Sequence, residues 1–207
     1  WVFASSLRPG NTFVDFLAPL SWRAFIPIGG DLSNYQVLLS GSFLTGLGNS
    51  FLVAGLTVVL GLAVAVPGAY ALARYEFPGR GVLFGFIIVA SMIPFDAIAI
   101  PLSALFADWG LNDSYSGLIL PALANGFAVF VLRQFFLGIP GELLDAAEVD
   151  GLGRVGALWR IVLPLSWPAL IGAGMMLFLG QWQTYLWPLL IGTSPAHQLA
   201  PIALASL

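Results

Sequence analysis

The sequence predicts an all-α, polytopic membrane protein, and three observations carry that prediction. Hydrophobic residues make up 59% of the 207 and charged residues only 8%, with a mean hydropathy of +0.94, whereas soluble domains are about one quarter charged. Uncharged runs of bilayer length alternate with short polar turns. The arginines are also unevenly placed: Arg74, Arg80, Arg133, Arg154 and Arg160 fall on one expected side, against Arg8 and Arg23 on the other. That is the asymmetry of the positive-inside rule. The net charge of −3 says less, because placement and not the sum sets orientation.

Composition also excludes function classes. With no cysteine, neither disulfides nor thiolate metal sites are available. One histidine, His197, leaves little from which to build a metal cluster or a Ser/His/Asp triad. There is no lysine, so a phosphate-binding loop of the Walker A kind cannot exist in this chain. Any ATP that drives it is hydrolysed elsewhere. Nothing suggests nucleic-acid binding, and no signal peptide is readable.

Taken in order, the chain reads as a single membrane domain over 1–207. Residues 1–7 look like the end of a first span whose beginning precedes Trp1. Residues 8–48, with Pro9, Pro19, Pro27 and Gly29-Gly30, suit a segment outside the bilayer. Asn49-Ser50 opens an uncharged span over 49–73, in which Pro67 is expected to kink the helix. Arg74 to Arg80 then forms a tight inner turn. The next span, 81–106, contains Ile93-Pro94, Asp96 and Ile100-Pro101. Asp108 and Asp113 mark an outer loop before a span over 115–136. Residues 137–167 form an inner hairpin, 168–190 a further span, and 191–207 an outer loop. Gly46, Gly55, Gly61, Gly172, Gly174 and Gly180 are expected to permit close helix packing.

The hairpin concentrates the charge. Between Ile139 and Pro164 lie four of the ten acids and two of the seven arginines. Pro140 suits a first helical turn, and Glu142 and Asp145 favour the positive end of a helix dipole. Gly151 stands where a left-handed cap ends the helix. Ala146 and Ala147 are expected to let another protein approach the backbone closely. Beyond the glycine, Val155, Leu158, Trp159 and Val162 fall at i, i+3, i+4 and i+7, the stripe of a helix lying on a membrane surface.

Asp145-Ala-Ala-x-x-Asp-Gly151, followed after nine residues by Ile161-x-Leu-Pro164, resembles the "EAA" signature of permease subunits of bacterial ABC importers. Asp145 stands where that family usually has glutamate. The turn Ala71-Leu-Ala-Arg74-x-x-Phe77-x-Gly79-Arg80, the Asn49-Ser50 opening and the Trp182–Pro188 run look most like the maltose-type sugar permeases, and Asp31-Leu-Ser-Asn-Tyr-Gln36 resembles a short run before the second span of sugar-type permeases. The resemblance implies a MetI-like type I importer fold of about six helices, the last lying beyond Leu207, in a bacterial inner membrane. It implies that Glu142, Asp145, Ala146, Ala147, Glu148, Asp150 and Gly151 form a coupling helix held by a cytoplasmic ATPase.

The implied partners are a second, different permease subunit, two ATPase subunits that bind ATP and Mg, an external substrate-binding protein, a sugar and membrane lipid. No cofactor and no metal belongs to this chain itself, and it is not expected to be an enzyme. Asp96, Trp182, Gln183 and Tyr185 are candidate substrate-pathway residues. Asp96 also suits a cap on a kinked turn, and the aromatics an interfacial belt. The loop around His197 resembles one that meets the docked binding protein. Within the family the alternative substrate is a glycerol phosphate, a polyamine or another small solute. A proton-coupled transporter would need several buried titratable groups, and only Asp96 is available. An intramembrane enzyme would need a nucleophile with its base, and none is arranged within the spans.

Overall fold

The computed structural model describes residues 1–8, 22–26 and 29–206, and all regular structure among them is helical. The all-α prediction holds. The outer-segment prolines Pro9, Pro19 and Pro27 lie outside the described residues. Two short helices, α1 (Val2–Ser6) and α2 (Ser33–Ser40), are joined by the expected Asn34-Tyr35 pair. Asn34 Nδ2 donates to the carbonyls of Ser6 and Arg8, and Tyr35 Oη lies 2.6 Å from Ser6 Oγ.

The mast of the molecule is α3 (Phe43–Arg74), an unbroken helix of 32 residues that runs through Pro67. At 1.5 Å per residue it is about 48 Å long, well beyond the roughly 30 Å of a hydrocarbon core. It begins six residues before the expected Asn49, since Phe43 to Gly48 contain no proline, and Gly46 packs closely on Ala203 there. Val53, Thr57, Gly61, Ala65, Ala69 and Ala73 recur every fourth residue along it, and all are buried. That small-residue seam lets neighbouring helices approach the mast closely.

Two of the expected spans are bent pairs. The run 81–106 divides into α4 (Arg80–Ser91) and α5 (Phe95–Asp108), which meet at 92°. Pro94 has no N–H to continue the ladder and pushes Ile93 away from helical dihedrals. The run 115–136 becomes α6 (Tyr115–Leu123) and α7 (Gly126–Leu137), bent by 45°. Asn125 restarts the chain there, its Oδ1 accepting from the Ala128 amide at 2.9 Å. Gly126 is required: a Cβ would come within 2.8 Å of Ser91 Cβ and 2.9 Å of the Ile87 carbonyl oxygen.

The hairpin follows as α8 (Gly141–Val149), α9 (Arg154–Ala157), a π-turn (Leu158–Val162) and α10 (Leu163–Leu165). An 82° bend leads into α11 (Trp167–Gln183), then α12 (Leu186–Ile191) and α13 (Ala200–Ala205). The expected span 168–190 is therefore interrupted at Thr184-Tyr185. Among the described residues one helix, α3, is long and apolar enough to cross a membrane, or four if each bent pair counts as a span.

Two hydrophobic clusters flank the mast. At the hairpin end, Ala69 and Tyr70 pack with Leu132, Phe136, Leu158, Val162 and Ala173. At the other end, Val53 packs with Ala99, Phe106, Leu118, Trp187 and Ile191. The expected surface stripe is thereby split. Leu158 and Val162 are core residues, whereas Val155 and Trp159 are two-thirds exposed. The π-turn, with its wider spacing, takes the four residues off a single face.

Candidate functional site

The hairpin helix α8 ends in a Schellman motif. The Leu152 amide donates to the Ala147 carbonyl at 2.8 Å and the Gly151 amide to Glu148 at 3.0 Å. Gly151 has φ +80°, a conformation that costs any residue with a Cβ. Glu142, Asp145, Ala146, Glu148 and Asp150 are exposed, as is Val149, so α8 presents an acidic surface. Ala147 is turned the other way, at 3% exposure. Only Ala146 of the expected contact pair is therefore available to another protein, since a helical i, i+1 pair diverges by about 100°.

Arginines fasten this hairpin to the mast. Arg74, the last residue of α3, sends Nη2 to the carbonyls of Phe136 and Ile139, beyond which α8 begins. Arg133 of α7 returns the favour, donating from Nε to the Leu72 carbonyl at 3.1 Å while its guanidinium covers the Phe84 ring at 4.1 Å. Both guanidinium groups reach carbonyls at helix C-termini, where the dipole favours a cation. Tyr70 Oη donates to the Arg154 carbonyl at 3.2 Å, and the Arg154 guanidinium lies 5.1 Å from the Tyr75 ring centroid. Behind α8 these groups enclose a cavity of about 510 Å³, lined by Arg74 and Arg154 opposite Asp145 and Glu148. In the sequence the arginines mark topology, and their position near helix ends is also the signal for a capping role.

A second cavity, about 590 Å³, lies among α3, α5, α6, α7 and α11. Its polar lining is Thr57, Ser91, Asn125, Gln181 and Thr184, and none of its lining residues is charged. The candidate pathway residues lie elsewhere. Asp96 is exposed in the first turn of α5, a favourable place for an acid. Gln183 and Tyr185 are also exposed. Trp182 stacks on Phe178 at 5.6 Å and meets Phe51 at 4.8 Å. None of the four lines the cavity. Gln181 does, two residues from Gln183 and so on the opposite face. The signal that could have found it is helical register with the buried Leu177 and Gly174.

The end of the molecule remote from the hairpin is closed by a polar lock. Asn49 Nδ2 donates to the carbonyls of Ala196 and Gln198 at 2.8 and 2.9 Å, and its Oδ1 accepts from Tyr115 Oη at 2.8 Å. Ser50 Oγ accepts from the Ala200 amide. Asp113 accepts from the Ser194 amide and lies 3.3 Å from His197 Nδ1. Hydrogen bonds from Ser194, side chain first and amide second, with His197 adding to them, hold the Asp113 carboxyl below its ordinary range.

A central helix, broken spans and an exposed acidic hairpin closed by a left-handed glycine coincide with a family match over residues 58–206, to the binding-protein-dependent transport system inner membrane component. The chain belongs to that family. It is 39% identical to the arabinooligosaccharides transport system permease protein AraQ of Halalkalibacterium halodurans, covering 88% of this chain and 66% of that one. It is 32% identical to the trehalose transport system permease protein SugB of Mycobacterium tuberculosis, over 100% of this chain and 74% of the relative. A sn-glycerol-3-phosphate transport system permease protein, UgpE of Yersinia pestis, is 40% identical over 75% of this chain and 55% of its own. The fold also matches a crystal structure of a bacterial ABC transporter involved in the import of the acidic polysaccharide alginate. That match has a TM-score of 0.86 at 25% identity, covering 100% of this chain and 71% of the other. The chain spans slightly less than two thirds of the length of the AraQ relatives.

Proposed function

We propose that the chain is one membrane-spanning subunit of an ATP-driven importer and forms half of the translocation pathway for a sugar or oligosaccharide. The observation that carries the reading is the exposed acidic α8 surface, on a hairpin whose entry is tied to the end of α3 through Arg74. In this reading the hairpin end is cytoplasmic and α8 rests in a cleft of a separate ATPase, which binds ATP and Mg. Glu142, Asp145, Glu148 and Asp150 meet cationic or polar groups there, and Ala146 permits close approach. Closure of two ATPase subunits displaces α8, and the arginine forks pass that displacement to the mast. A second permease subunit completes the pathway, and an external binding protein delivers substrate to the opposite face.

Sugar is favoured over glycerol phosphate because AraQ and SugB are named for saccharides and cover more of this chain than UgpE does. The test is co-purification of the assembled complex. Ala146→Arg places a long cation on the exposed face of α8 and is expected to lower recovery of the ATPase about ten-fold, as loss of an interface hot spot does. Unchanged recovery removes α8 from the interface.

A further inference from the structure

Resting on the permease reading, we propose that this chain itself carries a subsite for an uncharged, hydroxyl-rich ligand, formed by Thr57 and Gln181 in the 590 Å³ cavity. Both residues line that cavity, and both are buried: Thr57 is 0% and Gln181 7% exposed. Thr57 Oγ1 and Gln181 Nε2 are nevertheless without hydrogen-bond partners.

An unpartnered polar atom in a dry interior is costly, and hydrocarbon of the same shape would be more stable. The rest of the buried α3 seam shows how easily that alternative is met: Val53, Gly61, Ala65, Ala69 and Ala73 carry no polar side-chain atom. Helix register explains how the two polar groups come together. A Cβ on Gly61 would stand 3.1 Å from Leu177 Cδ1, so α11 crosses α3 at that level. Thr57 lies one turn from Gly61 along α3 and Gln181 one turn from Leu177 along α11, and the two helices run antiparallel. Both are therefore carried past the crossing in the same direction, to the same wall of the cavity.

The chemistry selects the ligand class. Gln181 Nε2 only donates, whereas the Thr57 hydroxyl donates and accepts. One sugar hydroxyl accepts from the amide while a neighbouring one bonds the threonine. A phosphate ester would enter a low-dielectric cavity lined by no arginine, lysine or histidine, and a polyamine one lined by no carboxylate. Neither would find a counter-charge.

The experiment uses the complete importer, reconstituted in liposomes with its binding protein, and labelled arabinotriose, trehalose and sn-glycerol 3-phosphate as probes. Thr57→Val and Gln181→Met preserve shape and remove the polar atom. Each is expected to lower uptake of the transported saccharide about ten-fold, while ATPase activity stimulated by loaded binding protein stays within roughly two-fold. The thermal midpoint is expected to hold or rise, and Thr57→Ser to retain uptake. Unchanged saccharide uptake in both variants overturns the subsite, and so does equal loss in Thr57→Ser and Thr57→Val with a lowered midpoint, which marks a packing position. If the wild-type complex carries only sn-glycerol 3-phosphate, the ligand class falls while the permease reading stands. If it carries nothing in an ATP-dependent manner, the permease reading itself falls.

Discussion

At its hairpin end α3 is fastened by cations aimed at backbone: Arg74 holds the Phe136 and Ile139 carbonyls and Arg133 holds that of Leu72. At its other end neutral groups do the fastening, with Asn49, Ser50 and Tyr115 holding the loop before α13. The difference has a physical consequence. Arg74 and Arg133 spend donors on backbone carbonyls, and the α8 carboxylates stay exposed. The far lock consumes its own polar groups, the Asp113 carboxylate included, and leaves little to offer a partner except the loop itself. In the proposed reading one end transmits force and the other holds a shape.

The comparison breaks most sharply at Gly151. Gly151→Val puts a β-branched residue at φ +80°, which costs about 1–3 kcal/mol locally and misdirects the chain between α8 and α9. Membrane insertion is expected to persist while ATP-dependent uptake in liposomes falls more than about ten-fold. Normal uptake would show that the hairpin carries no force. Arg74→Ala comes next. Losing two charge-assisted hydrogen bonds, each worth about 1.5–3 kcal/mol, is expected to lower the thermal midpoint by roughly 5 °C or more. Arg74→Lys sharpens the point, because an ammonium is a more strongly hydrated point charge on a shorter, flexible stem and must place its donors where Arg74 Nη2 sits; it should recover less than half of the loss.

How far the sequence reveals these two ends depends on what each uses. The hairpin is legible because its chemistry is charge and glycine in a hydrocarbon background: Asp145, Asp150 and Gly151 stand out whatever the fold. The run of α3 is legible for the same reason, being long and uncharged. Pro94 announces a break, yet not the 92° between α4 and α5, since an angle depends on tertiary contacts such as the close approach of Ser91 and Ile87 to Gly126. The inward turn of Ala147, and the choice of Gln181 over Gln183 for the cavity, depend on which helix face meets the mast. A polar residue in an apolar run does not say which way it points until its neighbours are placed. Asn49 illustrates this. Read as the opening of a span, it is an internal tie whose partners lie at Tyr115, Ala196 and Gln198.

That tie gives the third, smaller effect. Asn49→Ala removes three hydrogen bonds of about 1 kcal/mol each at the end of α3 remote from the hairpin. The expected result is faster amide exchange across 193–199, with exchange at α8 unchanged. A change that spreads to α8 would mean the two ends are not mechanically separate.

The smallest effect is a titration confined to the far lock. Asp113 is held below the ordinary carboxylate range by Ser194, with His197 beside it. A carboxylate whose folded pKa lies below its unfolded value of about 3.9 contributes order that is complete above that value. The contribution is lost as pH falls through the lower, folded value. Protection of the Ser194 amide, corrected for intrinsic exchange, is therefore expected to be flat from neutral pH down to about pH 5 and to drop below about pH 4. Asp113→Asn keeps an oxygen to accept from that amide but has no proton to gain, so its protection should be lower and independent of pH over the same range. Were the acid-induced loss to persist in Asp113→Asn, the titrating group would lie elsewhere. Asp31, Glu76, Asp96, Asp108 and the α8 carboxylates are the other acids among the described residues, and a titrating group on α8 would end the proposed separation between the two ends.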